Sequence, residues 1–117
     1  MLSRDYLTQE FIHLTQKYHP NAGIMLNDCH VKILECYVER SRKQFYYLGI
    51  YYPDHLQFAI QEYHNDLKEI AENIGLVEVV CINATRIVRD PVSRLKQDNS
   101  RLWLELYWIV THHPEIF

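Results

Sequence analysis

Only 3 of the 117 residues are glycine and only 4 are proline. All-β domains need turn residues at every reversal, so this scarcity leans the chain toward helices. No apolar run approaches the ~18 residues that a membrane span requires. The opening residues Met1-Leu2-Ser3-Arg4-Asp5 reach an acidic side chain at once and have no apolar core, so they do not read as a secretory signal. Three cysteines, Cys29, Cys36 and Cys81, have no close-paired spacing. A disulfide framework is not expected; reduced thiols in an intracellular setting, cytoplasmic or nuclear, are. A basic excess is also missing. The formal net charge is −3 and the pI about 6.1, which gives a dedicated nucleic-acid binder no support. Phosphate-binding glycine loops, nucleophile elbows and Cys–His catalytic patterns are absent, so a non-enzymatic chain without cofactor is expected.

What is there suits one globular domain over residues 1–117: 48% hydrophobic and 23% charged residues, with no repeat or low-complexity segment. Four points punctuate it: His19-Pro20-Asn21-Ala22-Gly23, Tyr52-Pro53-Asp54, Asn73-Ile74-Gly75 and Arg89-Asp90-Pro91. From Pro53, Leu56, Ile60, Tyr63, Leu67, Ile70 and Ile74 recur at steps of three and four, which predicts a helix over 53–74 capped by Gly75. Ser3 as N-cap and the stripe Leu7, Phe11, Leu14 and Tyr18 predict a first helix over 3–18, ended by Pro20.

Residues 27–51 admit two readings. Val31, Leu34, Val38, Ser41, Phe45, Leu48 and Tyr52 keep a helical rhythm, charges run from acidic to basic, and Glu39–Lys43 is a favourable i,i+4 pair. The run 45–52 has strong β propensity instead. A hairpin would have to turn at Arg40-Ser41-Arg42-Lys43, which lacks the usual Gly, Asn or Asp, so the helix is preferred. Residues 76–89 are rich in β-branched side chains yet also fit a helix face. Over 91–111, Asp90 and Pro91 suit a helix start, and Arg94–Asp98 and Arg101–Glu105 are i,i+4 pairs. The expected fold is an all-α antiparallel bundle of four to five helices, about 3–18, 27–51, 53–74, 76–89 and 91–111. The alternative is α+β, with strands near 30–39, 43–52, 76–88 and 102–110.

Three polar constellations resemble sites of chemistry. Glu10 and His13 share a helix face, but a di-iron site needs a second such pair, and none exists. Asp28-Cys29-His30 and His112-His113-Pro114-Glu115 lack zinc-module spacing, so no metal is expected. Asn83-Ala84-Thr85 matches a glycosylation acceptor, which carries no meaning in an intracellular protein. Basic side chains gather between 86 and 101, at Arg86, Arg89, Arg94, Lys96 and Arg101. They are either a solvated face or a docking strip for nucleic acid.

The informative feature is an apolar surplus. Beyond the stripes, 45–52 adds Tyr46, Tyr47, Ile50 and Tyr51, and 102–110 adds Trp103, Leu104, Tyr107, Trp108 and Val110. Phe58 also points off its helix's stripe. Tyr and Trp are enriched in protein interfaces because they bury a large area and keep a polar tip. The expected function is a protein–protein interaction module, an adaptor, inhibitor or assembly subunit. It would bind another chain or a second copy of itself through Tyr46, Tyr47, Tyr51, Trp103, Tyr107 and Trp108. The alternative is a nucleic-acid-binding helical domain using the 86–101 strip. If 45–52 and 102–110 are strands, much of the surplus becomes ordinary sheet core.

Overall fold

The computed structural model of the chain describes residues 3–112. The order is α1 (Arg4–Tyr18), α2 (Pro20–Leu26), β1 (His30–Val38), β2 (Lys43–Tyr52), a single 3-10 turn (Asp54–Leu56), α3 (Gln57–Asn73), β3 (Val79–Asn83), α4 (Ala84–Arg89), α5 (Leu95–Asp98) and α6 (Ser100–Thr111). The three strands form one mixed sheet in the order β1-β2-β3, antiparallel between β1 and β2 and parallel between β2 and β3. The fold is therefore α+β, which overturns the expected helical bundle.

The helices at 3–18 and 53–74 are present with small changes. Ser3 Oγ accepts from Tyr6 N–H at 3.1 Å and starts α1, and Gly75 ends the α3 region at φ 92. Pro53 is extended and buried rather than helical, and α3 begins only after the 3-10 turn. Pro20 does end α1, but as the first residue of the unforeseen α2.

The predicted helix 27–51 is a hairpin. It closes at residues 39–42, with Arg42 N–H donating to Glu39 O at 3.2 Å and Arg42 in the left-handed region at φ 55. A non-glycine residue there costs about 1–2 kcal/mol. The nine-residue ladder from His30↔Tyr51 to Val38↔Lys43 outweighs it. The predicted helix 76–89 divides into β3 and α4, with Asn83 Oδ1 capping α4 through Arg86 N–H at 3.1 Å. The predicted helix 91–111 breaks at Asn99, whose Oδ1 accepts from Leu102 N–H at 3.2 Å and starts α6. Asp90 caps only a turn, through Val92 N–H at 3.0 Å. The alternative α+β reading placed the first two strands well but made 102–110 a strand, and it is helix.

Side chains alternate across the sheet. One face, here the inner face, carries Val31, Ile33, Leu48, Ile50, Val79 and Cys81. It packs with Phe11, Leu26, Ile60, Leu67 and Ile70 from α1, α2 and α3. On the opposite, outer face a second and smaller core joins Tyr51 and Ile82 to Ala84, Leu106 and Val110 of α4 and α6. The strand ends are tied together where β2 and β3 stop. Asp54 N–H donates to Thr85 Oγ1 at 2.9 Å, and Asn83 Nδ2 donates to Asp54 Oδ1 at 2.6 Å.

Candidate functional site

The outer sheet face is only half covered. Helices α4 and α6 lie over the end that carries Tyr51 and Ile82. Beyond them a groove of about 470 Å3 opens, lined by Leu34, Cys36, Tyr47, Val77, Val80 and Ile82, with Glu35 and Glu78 also lining it. Val77 is 50% exposed and Val80 37%. Gly49 lies between Leu34 and Val80: it pairs with Val80, and a Cβ there would come within 2.8 Å of Leu34 Cδ1. The absent side chain lets Leu34 fold across β2 and form the groove floor. A sheet face open to water ordinarily carries polar side chains at these positions.

The Glu78 carboxylate stays charged at neutral pH. Val79 N–H donates to Glu78 Oε1 at 3.0 Å, and this bond, helped by Lys68, holds the Glu78 carboxyl below its usual range. Glu35 accepts from Gln44 Nε2 and meets Arg4 Nη2 at 2.6 Å.

The six aromatic residues expected to form one surface do not do so. Tyr46 packs on the inner core, while Tyr47 lines the open groove on the opposite face. Tyr51 is 8% exposed within the second core. On α6, Trp103 is half-buried and stacks on Tyr107 at 5.2 Å between centroids, with Lys96 Nζ 5.0 Å above the Trp103 ring. Trp108 stacks on His112 at 3.7 Å. The sheet separates Tyr46 from Tyr47 and Tyr51, and burial removes Tyr51 from any surface. Part of the surplus is nonetheless exposed. Leu104, Tyr107 and Trp108 line the solvent side of α6, and Phe58 is 84% exposed on α3.

The basic residues are exposed but spread over three short helices. Arg86 and Arg89 lie in α4, Arg94 precedes α5, Lys96 lies within it and Arg101 is in the first turn of α6.

Glu10 and His13 lie on α1, half-buried and exposed respectively. Asp28-Cys29-His30 spreads apart, because Cys29 packs on the inner core while His30 meets Tyr51 on the outer face at 5.9 Å between centroids. Of His112-His113-Pro114-Glu115, the last three lie outside the described residues. Among the described residues, no group of three His, Cys, Asp or Glu side chains is arranged to hold a metal ion. No helix among them is long and apolar enough to cross a membrane.

Thiol chemistry differs among the cysteines. Burial, with smaller contributions from Asp28 and Cys81, pushes the Cys29 thiol up to about 12, and burial pushes Cys81 up to about 11. Neither forms thiolate at neutral pH. Cys36 is exposed, and it is the cysteine that lines the groove.

His30 Nδ1 lies 3.1 Å from Glu105 Oε2, a contact that favours the imidazolium. Burial, aided by Lys32, outweighs it and lowers the His30 pKa below its ordinary 6.5. The unfolded chain therefore binds the proton more readily than the folded one. Stability from this group is present above about pH 6.5 and is lost as pH falls from there toward the folded value. Chemical denaturation at about pH 7.5 and about pH 5.5 should show a loss on acidification that His30→Gln reduces. An unchanged pH profile in His30→Gln would contradict this assignment.

No protein-family model, curated protein or solved structure matches the chain. What it does must be read from its own surfaces.

Proposed function

We propose that the chain is a non-enzymatic protein-binding module whose partner covers the open half of the outer sheet face. The observation that carries this reading is the apolar lining of that groove. Leu34, Cys36, Tyr47, Val77, Val80 and Ile82 occupy positions where a solvated sheet face carries polar residues. Contiguous apolar surface rimmed by charge is characteristic of interaction sites. Tyr47, one of the six aromatics singled out from the sequence, belongs to this groove. The exposed Leu104, Tyr107 and Trp108 on α6 form a separate apolar ridge. The five basic side chains remain a solvated set.

Cys36 makes the test direct. A thiol-reactive photo-crosslinker attaches to it at neutral pH, because the thiols of Cys29 and Cys81 are half-buried and raised. Irradiation in the protein's own cellular extract should give one discrete adduct that disappears in the Val80→Glu variant. The control is a Cys36→Ser chain carrying Glu72→Cys on the exposed side of α3, which should give none. Identical adducts from both positions, or none from Cys36, would overturn the proposal.

A further inference from the structure

The outer edge of β1 is a surface distinct from the groove. Leu48 N–H donates to Glu78 O at 2.9 Å, and Tyr46 O accepts from Val77 N–H at 2.9 Å. Even-numbered residues of β2 thus turn their backbone toward β3. Odd-numbered residues turn theirs toward β1, opposite His30, Lys32, Leu34 and Cys36. The backbone N–H and C=O groups of Val31, Ile33, Glu35 and Tyr37 therefore point outward, away from β2. Among the described residues no strand pairs there, since β1 ends the sheet.

The two halves of this edge differ. Residues 30–33 lie in a cleft between Arg4, Asp5 and Thr8 of α1 and Arg101, Leu102 and Glu105 of α6. The lining of that cleft stops at Ile33, and Glu35, Cys36, Tyr37 and Val38 are exposed. Natural edge strands are blunted by proline, lysine or a bulge. Residues 34–38 contain no proline or lysine, and their pairing with β2 runs without a bulge. Their one charge, Glu35, is met by Arg4 Nη2 of the same chain at 2.6 Å.

We infer that the chain forms a two-fold dimer in which residues 34–38 of β1 pair antiparallel with the same residues of a second copy. Backbone parity and charge select the register together. Outward-facing residues exchange hydrogen bonds only with outward-facing ones, so a two-fold register is centred on a residue. Centring on Cys36 pairs the whole open half with itself. Glu35 then lies opposite Tyr37, with their backbones hydrogen-bonded, and Leu34 lies opposite Val38. A centre at Glu35 would set two Glu35 side chains opposite each other, and a centre at Tyr37 would set Glu35 opposite Glu39. Like charges directly opposite are destabilising. The register that matches the open half is thus also the one that avoids like charges there. A two-fold contact uses up both edges and closes, so it does not propagate. Its axis is perpendicular to the sheet, so the two three-stranded sheets become one with both outer faces on the same side. The two grooves, each lined by its own Leu34 and Cys36, then adjoin.

The test uses the full chain alone. Light scattering at rising concentration should show the mass moving from 14.1 kDa toward twice that value. Hydrogen exchange at the Glu35 and Tyr37 amides should slow as it does so. Tyr37→Pro removes an outward N–H without touching the β1–β2 ladder, and should leave a folded monomer. If that variant does not fold, Val38→Lys should still weaken dimerisation at least about tenfold. Oxidation with diamide reads the register. The two Cys36 residues form a pair without mutual backbone bonds, about 4.5 Å apart at Cα, which suits a disulfide. Cys36 should link two copies at least about tenfold faster than a collisional reference, a Cys36→Ser chain carrying Glu72→Cys on α3. Cys36→Ser with Tyr37→Cys should link no faster than that reference, because those side chains meet only on a diagonal of about 7–8 Å. A monomer at every concentration, a dimer that both Tyr37→Pro and Val38→Lys leave intact, or equal linking from Cys36 and the reference would overturn the inference. Val80→Glu lies on β3 and should leave the dimer unchanged, so this inference and the groove reading fail separately.

Discussion

Replacing Phe11 with Ala is expected to remove about 3–5 kcal/mol of folding stability. Phe11 is fully buried, at 0% exposure, on the face of α1 that meets the sheet. It belongs to the inner core with Ile33, Leu48, Leu67 and Ile70, which come from β1, β2 and α3. Those neighbours sit on separate elements, so they cannot collapse into the space together. The cavity term is therefore kept in addition to the lost transfer energy. Domains of this kind are stable by about 5–15 kcal/mol, so one side chain controls a large share of the total. Phe58 provides the control. It is 84% exposed on α3, and Phe58→Ala should change stability by no more than about 0.5 kcal/mol. Urea unfolding of the two variants reads the contrast. A loss below about 1 kcal/mol for Phe11→Ala would mean that the centre of the core lies elsewhere.

Helices α1 and α3 were legible because each has one apolar stripe between clear punctuation, Ser3 to Pro20 and Pro53 to Gly75. The hairpin was not, for two physical reasons. Its turn has no Gly, Asn or Asp, and Arg42 takes the left-handed position that those residues usually fill. The sheet is also apolar on both faces near the end of β2, with Leu48 and Ile50 in the inner core and Tyr51 in the outer one. Neighbours of either parity are then apolar and the two-residue alternation is hidden. What remained visible was the accidental helical spacing of Val31, Leu34 and Val38. In 102–110 the bulky side chains left a strand as the alternative, and the preferred helix is what forms: Asn99 supplies a helix cap, and Leu106 and Val110 share one buried face.

The same ambiguity hid the candidate surfaces. The surplus was visible as composition, but which residues are exposed depends on strand parity. Tyr46 and Tyr47 are adjacent in the chain and lie on opposite sides of the sheet. Leu34, Cys36, Val80 and Ile82 raised no sequence signal as a group, because β1 and β3 meet only through β2.

Leu106→Ala is expected to cost about 2–5 kcal/mol, and the loss should be unevenly distributed. The second core is small. Leu106, at 0% exposure, and Val110 hold α6 against Tyr51 and Ala84, with Ile82 and Leu102 at the margin. Deleting the Cγ and both Cδ atoms of Leu106 leaves α6 few apolar contacts with the sheet, because its opposite side carries the exposed Leu104 and Trp108. The inner core under α1 and α3 does not include Leu106. Opening should therefore be local. Amides of 100–111 should exchange much faster, while those of 57–73 keep most of their protection. Equal acceleration in both segments would show that the two cores unfold as one unit and would refute this division.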